Sequence, residues 1–249
     1  MKYIQRTDFF TLKLNNKGMI SMVRFTADHK VYIKLLYWGM AGSGKTTMVD
    51  TLYRYTKEVE KDIEPTGNLT KISMASGSTL YFDRGIFQST KQKSRGKVFY
   101  HVYTVAGQRR FSPLRKKIFK GTDGVLFTVD SQTHFFEDNI ESLKELKNVT
   151  RGKLINEIPL IIMLNKQDLK EVIGEEDFKQ VLKDEKLWYE PGHKLYIWNP
   201  IIYKTCALYE QRQNVYRSFS ECARRTGLYQ IYGDGEAPIG DNFKEFRAL

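Results

Sequence analysis

The sequence predicts an α/β fold, a mainly parallel central sheet with helices on both faces, and two observations carry that reading. Apolar runs of strand length alternate with helically spaced segments along most of the chain. The first such run, VYIKLLYW (31–38), ends directly in GMAGSGKT (39–46), which fits G-x-x-x-x-G-K-[ST] with a strand before it and a helix after it. Strands covered on both faces read as continuous apolar stretches, because neither face meets water.

The elements follow in order. After the strand at 31–38, residues 45–56 read as a helix, and TLYFD (79–83) and KVFYHVYTV (97–105) as the next two strands, with the polar 88–96 as the loop of a hairpin. GVLFTVD (124–130) is a further apolar strand. Residues 135–149 carry Leu143 and Leu146 at helical spacing, and PLIIMLN (159–165) is another buried strand. A helix at 175–182, a strand at 201–206 and a helix at 210–226, with Gly227 as its cap, complete the series. Two segments stand outside the rhythm. Residues 1–21 read as an extension with a small hairpin around 16–18, and KLWYEPGHKLYIW (186–198) as an aromatic β-hairpin inserted at about 184–200. That hairpin is either a partner-binding flap or a piece packed on its own domain. The domain itself is expected over 22–232, with a polar tail at 233–249.

The 249 residues suffice for one sizeable core. Lys and Arg total 40 against 29 Asp and Glu, a net charge of +11. Without a dense basic run, this reads as a lysine-rich surface rather than a nucleic-acid interface, compatible with peripheral contact with an acidic membrane or partner. The two cysteines, Cys206 and Cys222, cannot build a disulfide framework, and no metal-ligand spacing occurs; a cytoplasmic setting is expected. No apolar run approaches the roughly 18 residues needed to span a bilayer. The start lacks a signal-peptide stretch, and neither end carries a lipidation motif.

Chemistry concentrates in three places. In GMAGSGKT, Gly42 and Gly44 let backbone N–H groups approach phosphate oxygens, and the following helix turns its positive end toward them. Lys45 is suited to bridge β- and γ-phosphates and Thr46 to ligate Mg²⁺. This motif alone leaves ATP and GTP open. NKQD (165–168) narrows the choice: a carboxylate at Asp168 accepts from guanine N1–H and the N2 amino group, donors that adenine lacks there. Lys166 would lie along the base, Asn165 would tie its loop to the phosphate loop, and Cys206 and Ala207 in TCAL would offer a backbone N–H to guanine O6. The third place is YTVAGQ (103–108), where Gly107 and Gln108 stand as in an aspartate-x-x-Gly-Gln turn but the aspartate position holds Thr104.

Together these stretches, with STLYFD (78–83) and LRKKIFKGTDGVLFTVDSQ (114–132), resemble a small Ras/Arf-type P-loop GTPase, closest to the MglA-like branch, over roughly 24–227. In that branch the turn aspartate is characteristically threonine. The resemblance implies a Ras-like G domain that binds GTP and GDP with Mg²⁺, hydrolyses GTP slowly and signals through switch loops, within 57–79 and 106–119. It implies a nucleotide site of Gly39, Ala41, Gly42, Ser43, Gly44, Lys45, Thr46, Thr47, Thr79, Gly107, Asn165, Lys166, Asp168, Cys206 and Ala207. Gln108 and Lys45 are the catalytic pair, and Thr46 and Thr79 the metal ligands, with Thr66 competing for the place given to Thr79. It also implies effectors and a roadblock-fold activator of the MglB type. The arginine common before the switch threonine is here Ser78, so an arginine is expected from a partner or from Arg84, Arg109 or Arg110. Arg109, Arg110, Arg115, Lys116, Lys117 and Lys120 read as solvated charge on the second switch. The alternative function is a non-hydrolysing guanine-nucleotide-binding scaffold.

Overall fold

The computed structural model describes residues 30–70, 84–90, 97–108 and 111–239, together with the backbone of three short strands near the start. Thr79, Ser78, Arg109, Arg110, the strand expected at 79–83 and the tail from 240 onward lie outside the described residues. In chain order the strands are β1 (Lys13–Leu14), β2 (Ile20–Ser21), β3 (Arg24–Phe25), β4 (Lys30–Trp38), β5 (Ile63–Pro65), β6 (Arg84–Ser89), β7 (Lys97–Thr104), β8 (Gly124–Asp130), β9 (Leu160–Asn165) and β10 (Ile201–Lys204). The helices are α1 (Lys45–Glu58), α2 (Ser112–Phe119), α3 (Phe136–Thr150), α4 (Glu175–Asp184) and α5 (Gln213–Tyr232).

Among the described residues, the main sheet runs β10-β9-β8-β4-β7-β6-β5, and β3 pairs with the start of β4. The five strands from β10 to β7 are mutually parallel, whereas β6 runs antiparallel to both β7 and β5. β1 and β2 pair separately, Lys13 with Ser21 and Leu14 with Ile20. Every residue of β8 and β9 is buried, as continuous apolar strands require.

Alternation along β4 divides the core. Ile33, Leu35 and Tyr37 face α1 and α5, packing with Met48, Leu52, Val215 and Phe219. Leu36 and Trp38 belong to the opposite layer, with Phe119 of α2, Leu143 and Leu146 of α3, and Phe178 and Leu182 of α4. Each such side chain contributes roughly 1.5–3 kcal/mol when fully buried. β4 lies between β7 and β8, so the chain leaves it toward one side and later returns on the other. Its carboxyl end is the switch point of the sheet, the place where α/β sheets hold ligands.

Two expectations require correction. α5 does not stop at Gly227 but continues to Tyr232, with Gly233 as its cap. The extra turn is held by Tyr229, which is fully buried and donates its hydroxyl to the Ile155 carbonyl at 2.6 Å. That burial outweighs the roughly 1 kcal/mol a helical glycine costs. The segment 186–198 contains no strands; it is a series of turns ending in a 3₁₀ turn, Tyr196–Trp198. The Asn199 side-chain amide supplies what a partner strand would, accepting from the Tyr189 N–H and donating to the Tyr189 carbonyl, both at 2.8 Å. Trp198 is buried edge-on against Tyr229 and donates to the Pro238 carbonyl at 3.0 Å. The aromatic run therefore anchors on its own domain, together with the chain that follows α5.

Candidate functional site

The phosphate loop leaves β4 at Gly39 and enters α1 at Lys45. Gly44 has φ of 97°, and a Cβ there would lie 2.3 Å from the Asn165 amide nitrogen, so both backbone conformation and space demand glycine. Ala41 and Gly42 are exposed at the crest, Ser43 is buried, Thr46 is half-buried in the first helical turn and Thr47 points outward. Lys45 is buried, and its ammonium donates to the carbonyls of Gly39 at 2.9 Å and Met40 at 2.6 Å. A cation held inside a loop of backbone N–H groups, at a helix start with no acidic residue in its first turn, fits a polyphosphate.

The loops after β9 and β10 lie against this cradle. Asn165 ends β9, is almost fully buried, and donates its amide to the Ser43 carbonyl at 2.7 Å. Its Oδ1 is buried with no hydrogen-bond partner among the described residues, an acceptor left for a ligand. Lys166 has φ of 66°, and its ammonium pairs with Asp130 Oδ2 at 2.6 Å. Asp168 is exposed beside Cys206; burial, and then the hydrogen bond to the Asp168 carboxylate, push the Cys206 thiol above its ordinary value. The loop after β10 is stitched to its neighbours by Thr205 N–H to the Leu164 carbonyl at 2.8 Å and the Thr51 hydroxyl to the Ala207 carbonyl at 2.5 Å. Asn165, Lys166, Asp168, Cys206 and Ala207 thus gather at one end of β9 and β10, with Asn165 touching the phosphate loop.

On the other side, β7 ends in fully buried Thr104, level with Tyr37 of β4. Gly107 is wedged against the phosphate loop: a Cβ there would sit 2.2 Å from the Ala41 nitrogen and 2.3 Å from the Met40 carbonyl carbon. Gln108 follows, half-buried, and lines a cleft of about 420 Å³ between the phosphate loop, α2 and α3. Thr66 belongs to the sheet edge, its N–H and hydroxyl both donating to the Ile86 carbonyl. Arg84 opens β6, with its guanidinium carbon 5.7 Å from the Tyr103 ring centre. Among the described residues, no trio of His, Cys, Asp or Glu assembles that could hold a metal. The donors present fit an ion carried mainly by phosphate oxygens and water.

The cradle alone admits many P-loop proteins; comparison with known proteins decides among them. Residues 19–219 match the ADP-ribosylation factor family. The chain belongs to that family. It is 34% identical over 166 residues to the mutual gliding-motility protein MglA of Myxococcus xanthus, spanning 66% of this chain and 81% of that protein. It is 34% identical over 85 residues to human ADP-ribosylation factor-like protein 4A, where it spans 42% of the relative. It is 24% identical over 165 residues to ADP-ribosylation factor-like protein 3 of Chlamydomonas reinhardtii, covering 80% of it. This Arf-family protein is therefore a GTP-binding GTPase, on the P-loop α/β fold expected from its motifs. Among its described residues, no helix is long and apolar enough to cross a membrane.

Three features of the Arf-family site escaped the sequence reading. Asp130, which receives Lys166, is fully buried at the end of an otherwise apolar strand, and a lone carboxylate in that position was the available signal. Thr51 carried no signal beyond a polar residue on a buried helix face. Arg115, expected as solvated charge, is instead 4% exposed and paired with Glu145 of α3 at 2.7 Å. Lys116, Lys117 and Lys120 are exposed as expected.

Proposed function

We propose that this GTPase is a slow molecular switch that holds GTP or GDP with Mg²⁺ and converts GTP to GDP and phosphate. The observation that carries the reading is the bond from Asn165 to the Ser43 carbonyl, which joins the base-reading and phosphate loops into one cradle beside Gln108. In it Lys45 neutralises the β- and γ-phosphates, Asp168 selects guanine through its paired acceptors, and Gln108 orients the attacking water. Bound Mg²⁺ would supply charge neutralisation at the phosphate oxygens, with the Thr46 and Thr79 hydroxyls as its protein ligands. The buried, uncharged Thr104 contributes no charge to that ion.

The setting we infer is cytoplasmic, consistent with two free, buried thiols. Effectors read the switch loops, an activator of the MglB type acts on them, and a partner or one of Arg84, Arg109 and Arg110 supplies the arginine that Ser78 does not. By likeness to the gliding-motility relative, the process served is regulation of polarity or motility. Peripheral contact with an acidic membrane is compatible with the net charge of +11.

The test is single-turnover phosphate release from GTP with Mg²⁺, after extraction and identification of the bound nucleotide. The wild type is expected to turn over, Gln108→Ala to be slowed by roughly 10²-fold, and Asp168→Ala to lose its preference for GTP over ATP. Release of no phosphate over hours by the wild type would instead support a non-hydrolysing guanine-nucleotide scaffold, the reading that an uncharged Thr104 favours.

A further inference from the structure

We propose that Arg115 is a positioning residue for hydrolysis: anchored by Glu145 on α3, its guanidinium holds the backbone on both sides of Gly107, and through it Gln108, against the phosphate loop. The proposal rests on the reading of Gln108 as the residue that orients water.

Arg115 uses both ends of its planar fork. Nη1 donates to the Ala106 carbonyl at 2.8 Å and to the Gln108 carbonyl at 2.7 Å. Nε donates to Glu145 Oε1 at 3.1 Å, and Nη2 to Oε1 at 2.8 Å and Oε2 at 2.7 Å. One side chain thus ties the segment before α2 to α3. Residues 105–107 belong to no helix or strand, so the Ala106 carbonyl, in a buried residue, has no ladder to satisfy it. The Gln108 carbonyl also accepts from the Phe111 N–H at 3.0 Å, which starts the turn into α2.

The anchor is itself fixed. The Ser112 hydroxyl donates to Glu145 Oε1 at 2.6 Å. The Arg115 guanidinium lies 5.7 Å from the centre of the Trp38 ring, and Trp38 donates its indole N–H to the Ser142 carbonyl of α3 at 3.1 Å. The end of β4, α3 and the start of α2 therefore meet at this one group. Its reach ends at Gly107, the residue with no room between itself and Ala41. Lysine cannot reproduce the arrangement, because an ammonium lacks the flat fork that serves two carbonyls and a carboxylate together.

A group oriented to within an ångström is worth about 10²-fold in rate. The experiment is single-turnover hydrolysis by the full chain loaded with GTP and Mg²⁺. Wild type is compared with Arg115→Lys, Glu145→Gln, Gln108→Ala and the double variant Arg115→Lys/Gln108→Ala; GDP affinity and melting temperature are measured alongside. Expected are 10- to 100-fold slower hydrolysis in Arg115→Lys and Glu145→Gln, GDP affinity within a few-fold of wild type, and no further slowing when Arg115→Lys is added to Gln108→Ala. Wild-type rates in both single variants with a slow Gln108→Ala overturn the brace while leaving the Gln108 reading intact. So does equal slowing with and without Gln108, or a rate loss matched by lost GDP affinity. A wild-type rate in Gln108→Ala removes the reading itself, and the proposal with it. Should Arg115→Lys fail to fold, Glu145→Gln and the double variant Glu145→Gln/Gln108→Ala, which keep an oxygen for the guanidinium, decide on the same criteria.

Discussion

Thr104 is fully buried at the end of β7, beside β4 and its Tyr37, whose hydroxyl has no hydrogen-bond partner among the described residues. Burial pushes the Tyr37 phenol far above its ordinary value, so it stays neutral. A carboxylate at position 104 would be desolvated there, a cost that a bound cation would offset. Thr104→Asp is therefore expected to melt lower than wild type in chelator, by about 1–3 kcal/mol, and to recover most of the loss with Mg²⁺ and GDP. Melting curves in the two conditions check this; equal gains from Mg²⁺ in variant and wild type would show that position 104 does not sense the metal. At this scale, motif residues were legible because backbone geometry forces their identity, as at Gly44. Arg115 was not, because in FSPLRKKIFK one cation looks like the next and only the packing turns it inward.

Elements were legible wherever periodicity met burial. β8 and β9 are predominantly apolar and buried along their whole length, which a surface loop of that composition would not be. Boundaries were weaker, as α5 illustrates. Gly227 looked like a stop signal, yet it lies within the helix with open space around its missing Cβ. Gly227→Ala is expected to stabilise the protein by about 0.5–1 kcal/mol, read as a rise of roughly 1–4 °C in melting temperature. An unchanged or lower melting point would mean that the last turn of α5 is not formed in solution. The 186–198 segment failed for a related reason. Two aromatic runs around Pro191 and Gly192 satisfy the composition of a hairpin, but Asn199 meets the backbone of Tyr189 first.

At the scale of the molecule, α5 and the residues after it tie the pole away from the nucleotide site. Arg225 is buried and donates to the carbonyls of Trp198 at 3.1 Å and Asn199 at 2.8 Å, and to Glu221 at 2.8 Å. The Ala237 N–H donates to the Asn156 carbonyl at 2.6 Å, so the chain leaving α5 is fastened to the loop before β9. Burial alone would raise the Glu221 carboxyl, but hydrogen bonds from Arg224 and Arg225 outweigh it and hold the group below its ordinary value. A depressed carboxyl stabilises the fold fully above its unfolded value and loses that contribution as pH falls through its folded one. Wild type is accordingly expected to melt above Glu221→Gln at neutral pH, with the gap closing as pH drops through and below the ordinary carboxylate range. A gap independent of pH would show that the charge on Glu221 contributes nothing.

The sequence by itself determined the α/β class and the family, and it marked the residues proposed to cradle phosphate and to read guanine, because each depends on residue types at fixed short spacings along the chain. A glycine where no Cβ fits, or an aspartate two residues past Lys166, is written locally. Only the tertiary structure decided that Asp130 receives Lys166 and that Arg115 is a buried clasp rather than surface charge. Those pairs lie 36 and 30 positions apart in the chain. Contacts across such distances arise from how sheet and helices stack, and no local pattern of residues encodes them.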